Sequence, residues 1–279
     1  MKRILISLST IGAVAALVAV GTGAFFKDVE TSTGNTFSAG AIDLKIDNES
    51  YYNAVATSSL SWQLTDLTIE KFFDYIDLKP GDDGEDTISI HVNDNDAWVC
   101  ADVKLTSDND NGCTEPESGD AQDPSCGNPG LGEGELADEI HFIWWADDGD
   151  NVLEDDERQL PGGPLGALGV GQSATVAFAD SSDNIWTGQP DDPVDGGSTQ
   201  YIGKAWCFGN IQAAPLRQGD YDNPGVDNNG DQVIDNLDGG FACDGSSGTN
   251  ITQTDSMTAD ITFRAEQSRN NENFVCDLT

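Results

Sequence analysis

Residues 227–238 carry oxygen-bearing side chains at the spacing of a calcium-binding loop. Positions 1, 3, 5, 9 and 12 of an EF-hand loop bind the ion, and here they are Asp227, Asn229, Asp231, Asp235 and Asp238. Two features depart from that pattern, because the glycine stands at position 4 instead of 6 and position 12 is Asp instead of Glu. The run predicts a calcium site, with a solvated acidic loop as the alternative.

A second acid-dense turn covers residues 146–151 and is followed by four consecutive acidic residues at 154–157. Its spacing matches no standard calcium loop. Asp148 and Asp150 are the predicted ligands, since like charges held this close repel one another unless a cation lies between them. The alternative is a solvated turn in a salt-adapted protein.

The chain has only two histidines, His91 and His141. Residues 139–142 read Glu-Ile-His-Phe without a second histidine four positions on, so the HExxH zinc motif is absent. His91 alternates with apolar Ile90 and Val92, which predicts a place on the polar face of a strand. No G-x-S-x-G motif occurs either. Carboxylate pairs that could hydrolyse glycosides arise by chance in so acidic a chain, so the sequence favours a non-enzymatic protein.

Six cysteines are present, an even number that predicts disulfides in an exported chain. Fifteen pairings are possible. Our first choice joins Cys113 to Cys126 and Cys207 to Cys243, which leaves Cys100 to pair with Cys276. A zinc site is the alternative, but the sequence lacks the CxxC spacing that such sites use.

The charge is strongly negative, with 12 Lys and Arg against 50 Asp and Glu and a formal net charge of -38. Such a chain repels nucleic acid and anionic membranes, so neither is a predicted partner. It attracts cations, and its self-repulsion must be offset by divalent ions, high external salt or disulfides. Six Trp and eleven Phe argue against disorder of the whole chain.

The first residues read as a secretory signal peptide. Met1, Lys2 and Arg3 precede an apolar run at 4–20 and small residues at 21–24. We expect cleavage by a signal peptidase after Ala24, with a retained membrane anchor as the alternative. The mature protein is therefore predicted to be secreted or held at the cell surface, without stable membrane insertion.

Alternating apolar residues predict many short strands. They lie at 42–46, 88–92, 98–105, 140–145, 175–178, 201–208 and 257–265. One short helix is predicted at 65–73. Strands without helical spacers favour an all-β, jelly-roll-like antiparallel sandwich with long acidic, disulfide-stapled loops. We predict one such domain at 37–279, with insertions at about 107–135 and 213–250.

The N-terminal region resembles the TasA/camelysin family. An aromatic-x-Asp entry at 26–28 is followed by Phe-Ser-Ala-Gly-Ala-Ile-Asp-Leu at 37–44, and 78–82 read Leu-Lys-Pro-Gly-Asp. The middle of the chain, with its cysteines and acidic loops, departs from the family pattern. The resemblance implies a jelly-roll domain, a dedicated signal peptidase, and extracellular fibres in which the N-terminal strand of one subunit completes the sheet of the next.

Transferred to this chain, that donor segment covers residues 25–36, with Phe25, Phe26 and Val29 as its apolar residues. A strand can satisfy its backbone groups by adding to a neighbour's sheet edge, and a contact that does not close makes a filament. The alternative is that Phe25 and Phe26 pack into their own domain. We therefore predict a fibre subunit of a biofilm matrix or pilus-like surface. The competing functions are a camelysin-type metallopeptidase and a monomeric, calcium-stabilised binding module.

Overall fold

The structure, a computed structural model, describes residues 27–31, 42–53, 55–121, 123–149, 151–154, 157–213, 240–248 and 250–277. These residues form fourteen strands. They are β1 (Lys27–Thr31), β2 (Asp43–Tyr52), β3 (Val55–Ala56), β4 (Trp62–Thr65), β5 (Asp83–Asn93), β6 (Ala97–Asn109), β7 (Ile140–Asp147), β8 (Gln159–Pro164), β9 (Ser173–Asp180), β10 (Asp183–Asn184), β11 (Ser198–Phe208), β12 (Asn210–Ala213), β13 (Phe241–Asp244) and β14 (Ser256–Gln267).

Helical structure is limited to short turns between the strands. One α-helical turn, α1 (Leu136–Glu139), precedes β7. The others are a π turn at Glu117–Ala121 and 3-10 turns at Leu165–Leu168, Gly245–Ser247 and Asn250–Thr252. No helix among the described residues is long and apolar enough to cross a membrane.

Two antiparallel sheets face each other in a sandwich. The first has the strand order β1-β14-β6-β9-β10, and the second has the order β3-β2-β5-β11-β7-β8, with β4 also paired to β2. β12 and β13 form a separate hairpin. The predicted antiparallel, jelly-roll-like sandwich with disulfide-stapled loops is confirmed, and each predicted strand lies within an observed one.

Alternation along the strands sets the core between the sheets. In β2, buried Leu44 and Ile46 alternate with half-buried neighbours, and in β5 the inward residues include Ile88, Ile90 and Val92. Phe178 and Phe263 contribute from the facing sheet, with ring centroids 6.2 Å apart. Burial of these side chains is the main favourable term in folding.

The predicted helix at 65–73 is wrong. β4 ends at Thr65, and residues 66–73 form an irregular segment that crosses the edge of the sandwich. Leu67 and Phe72 are buried in the core, and the Phe72 ring packs 5.8 Å from that of Phe263. Tertiary packing of these two side chains overrides the weak helical spacing.

All three predicted disulfides are confirmed. Cys100 pairs with Cys276, Cys113 with Cys126, and Cys207 with Cys243. The first ties the C-terminal segment to the middle of β6, and the second closes a loop inside the insertion predicted at 107–135. The three bonds indicate an oxidising environment for the folded protein.

Candidate functional site

The acidic turn after β7 brings three carboxylates together. Ligand oxygens of Asp147, Asp148 and Glu157 all lie within 4.8 Å of one another. Asp147 is buried, and its two oxygens accept hydrogen bonds from Trp145 Nε1 at 3.2 Å and from the Gly149 amide at 3.1 Å. Glu157 closes the turn by accepting from the amides of Asp148 and Glu154 at 3.0 and 3.1 Å. Burial raises the pKa of Glu157 to about 8, and the charges of Asp147 and Glu154 raise it further.

Of the predicted ligands in this turn, Asp148 is in the cluster, while Asp150 lies outside the described residues. The sequence reasoning missed Asp147 and Glu157. A signal was present, because a twelve-residue frame that starts at Ala146 puts Glu157 at position 12 and Asn151 at position 6. Position 6 needs a sharp turn, and Asn151 has a φ of 66°.

The first predicted calcium loop lies outside the described residues, and so do Asp227, Asn229, Asp231, Asp235 and Asp238. The chain re-enters the described part at Gly240, whose amide donates to the Leu153 carbonyl at 2.6 Å. Residues just after the first loop therefore contact the second acidic turn.

The two histidines are far apart. His91 is opposite Thr199 across the β5–β11 ladder, and His141 is opposite Cys207 across the β7–β11 ladder. Eight residue positions separate those partners along β11, which is about 26 Å at a rise of ~3.3 Å per residue. The two imidazoles cannot share one metal ion, so a two-histidine zinc site has no place in this fold.

His91 belongs to a polar ladder on the outer face of its sheet. Its Nε2 lies 2.8 Å from Ser89 Oγ, and its Nδ1 lies 2.9 Å from Thr199 Oγ1. Ser89 donates its hydroxyl proton to Asp47, so that proton is not directed at the imidazole. A serine nucleophile needs the histidine as its proton acceptor. Asp47, Ser89 and His91 therefore do not form a catalytic triad.

A buried ion pair crosses the interior between β5 and β11. Lys204 and Asp86 are both fully buried and form a salt bridge. Asn48 Nδ2 donates to the second Asp86 oxygen at 3.0 Å. The Lys204 ammonium also lies 5.7 Å and 5.6 Å from the ring centroids of Phe72 and Phe73, within cation–π range. This cluster serves the interior of the sandwich, since neither charged side chain reaches solvent.

An apolar groove of about 730 Å³ opens at one end of the sandwich. Trp206, Phe208 and Phe142 line it from the second sheet. Residues 73–80 form one wall, and residues 250–257 with Leu136 form the other. The Tyr75 hydroxyl sits in this region near Asp86, and burial, followed by the Asp86 charge, raises its pKa above the usual value. The groove could take apolar groups but contains no arrangement of nucleophile and base.

The N-terminal strand is paired within its own chain. β1 runs antiparallel to β14, with Lys27 opposite Glu266 and Thr31 opposite Thr262. Val29 lies opposite Arg264, while Phe25 and Phe26 lie outside the described residues. The segment is thus an edge strand of the single chain and not a free ribbon. Polymerisation through it requires exchange of β1 between chains.

No model of a known protein family matches this chain, and no curated protein matches it.

Proposed function

We propose that this protein is a secreted structural subunit of extracellular or cell-surface fibres that polymerises by exchange of its N-terminal strand. The observation that carries the proposal is the position of β1. It is a five-residue strand at the edge of a sheet, and β14 is its neighbour. An equivalent β1 from a second chain can make the same backbone hydrogen bonds to β14. The resemblance of residues 21–44 to the TasA/camelysin family supports the same assembly.

Exchange costs little in new structure. The ladder to β14 is the same within and between chains, so the equilibrium depends on protein concentration and on the connection after Thr31. A head-to-tail exchange does not close on itself, which produces a filament. The apolar groove stays out of this contact, because it lies beside Ser256 and Met257 at the other end of β14.

Cysteines placed at Thr31 and Thr262, which are register partners, test the exchange. In fibres of T31C/T262C, oxidation links successive chains, so a non-reducing denaturing gel shows a ladder of multimers. The six native cysteines are already paired and do not compete. A matched T31C single variant should give no ladder. Complete intrachain cross-linking with a monomeric mass at high concentration would overturn the proposal.

A monomeric, calcium-stabilised surface module is the second candidate, favoured by the convergence of Asp147, Asp148 and Glu157. It gives a different result in the same experiment. Calcium then raises the melting temperature without increasing the mass, and D148N/E157Q lowers that response. A metallopeptidase of the camelysin type gains no support from the separated histidines.

A further inference from the structure

A second group of acidic side chains meets where three elements end, away from the turn after β7. Asp110 directly follows β6, Asp255 directly precedes β14, and Glu135 directly precedes α1. The β6–β14 ladder pairs Asn109 with Ser256, which places Asp110 and Asp255 next to each other at the end of the sheet. The fourth member, Asp123, comes from the loop closed by the Cys113–Cys126 disulfide.

Each of these carboxylates is held in place by the backbone or by a hydroxyl. Asp255 Oδ2 accepts from the amides of Glu135 and Leu136 at 2.8 and 3.2 Å. Asp110 Oδ1 accepts from the Gly112 amide at 2.9 Å. Asp123 Oδ1 accepts from the Ser125 amide at 2.7 Å. The side chains are therefore directed by the fold, unlike acidic residues on a solvated loop.

The remaining oxygens are buried without a hydrogen-bond donor. Asp123 Oδ2, Glu135 Oε2 and Asp255 Oδ1 are inaccessible to solvent and have no such partner. Asp123 is only 7% exposed, and its carboxylate lies against that of Glu135, so it points into the cluster. Burying an ionised oxygen that lacks a partner is costly, which points to a missing positive group.

Ser125 shows the same deficit of positive charge. Its Oγ lies 2.7 Å from Asp110 Oδ2 and 2.8 Å from Asp123 Oδ1. A hydroxyl carries one proton and can donate to only one of the two oxygens. Among the residues that the structure describes, no Lys or Arg forms an ion pair with these four carboxylates. The sulfurs of Cys113 and Cys126 lie near Asp123 but are joined in a disulfide, so they offer no thiolate.

We propose that Asp110, Asp123, Glu135 and Asp255 bind a divalent cation, and that calcium is the ion this site takes. Calcium accepts six to eight oxygen ligands, several of them carboxylates, in flexible geometry, whereas magnesium keeps most of its water. The ion fastens the stapled loop to the ends of β6 and β14. Since Asp255 and Leu136 also line the apolar groove, it holds one wall of that groove in place.

The mutual repulsion that the ion relieves is visible in the pKa values. Burial raises the pKa of Glu135 to about 8, with the charges of Asp123 and Asp255 adding to the rise. Burial also raises the pKa of Asp255 to about 6, and the charges of Asp110 and Asp108 contribute. Without a cation these groups destabilise the fold at neutral pH.

The test compares the full chain with two double variants, D123N/E135Q at this cluster and D148N/E157Q at the turn after β7. Proteins stripped with EGTA in concentrated KCl are titrated with CaCl₂, and the bound ions are counted by calorimetry. Thermal unfolding is followed with and without calcium. At calcium a hundredfold above its Kd, we expect the site to raise the melting temperature by about 5 to 10 °C.

D123N/E135Q should lose one bound calcium, and its melting temperature in EGTA should exceed that of the unmodified chain because the repulsion is gone. D148N/E157Q should keep that calcium. A side chain with a purely structural role would lower stability in both solutions when replaced. The proposal fails if D123N/E135Q binds as many ions as the unmodified chain. It also fails if calcium does not stabilise the unmodified chain while lowering the pH from 8 to 5 does, since protons alone then hold the cluster.

Discussion

Two buried acidic clusters in this protein are neutralised in different ways. At one, Asp86 faces Lys204 in the middle of the sandwich, and the charge is balanced by the chain itself. At the other, Asp110, Asp123, Glu135 and Asp255 meet at the end of the sandwich without a basic partner among the described residues. The first cluster is complete in the folded chain, whereas the second needs an ion from solution.

The difference follows from where each cluster lies. Lys204 and Asp86 are cross-strand partners in neighbouring central strands, so both side chains are fixed by the same ladder. The end of the sandwich is built from loop and strand termini, where an ion can enter. A chain with only 12 basic residues against 50 acidic ones cannot supply a cation at every buried carboxylate. External cations are the available substitute.

Removing the internal cation should have the largest effect. K204M leaves Asp86 buried and uncompensated, so we expect the free energy of unfolding to fall by about 3–5 kcal/mol. Chemical denaturation in concentrated KCl measures it. Adding D86L to K204M should recover most of the loss, because an apolar pair carries no desolvation cost. A loss below about 1 kcal/mol in K204M would show that Asp86 is neutralised in another way.

Opening the staple of the acidic loop should have the next largest effect. The Cys113–Cys126 bond closes a loop with a sequence separation of 13, for which chain entropy gives about 3 kcal/mol. C113A/C126A should therefore unfold more easily in EGTA and should also bind calcium less tightly at the Asp123 cluster. The equivalent change at Cys207 and Cys243 is the control, since it should lower stability without altering that calcium affinity. Equal calcium affinities in all three proteins would contradict the link between staple and ion.

Supplying a cation to the second cluster should have the smallest effect and turn it into the first type. Ser125 stands between Asp110 and Asp123, so S125K places an ammonium among these carboxylates. We expect stability in EGTA to rise by about 1 kcal/mol and the response to calcium at this cluster to disappear. S125A is the control, because it adds no charge and should keep the calcium response. An S125K protein that still binds calcium like the unmodified chain would place the ion elsewhere.

Local patterns in the sequence were sufficient for the strands and the disulfides. Period-two alternation in β2, β5 and β14 predicted which face is buried, because a sandwich strand buries every second side chain. The cysteine pairs were predicted from proximity in the chain and by elimination. Asp148 was also recognised from its acidic neighbours. The helix at 65–73 failed, because the spacing of Leu67 and Lys71 is weak compared with the gain from burying Leu67 and Phe72.

What the sequence alone determined is an acidic, disulfide-linked β-sandwich, because alternation, charge and cysteine number are properties of neighbouring residues. Only the tertiary structure decided which carboxylates meet. Asp110 and Asp255 are distant in the chain and come together through the β6–β14 register, and Lys204 meets Asp86 through the β5–β11 register. A long-range register leaves no local signal, so the sites with the most demanding electrostatics appeared only in the fold.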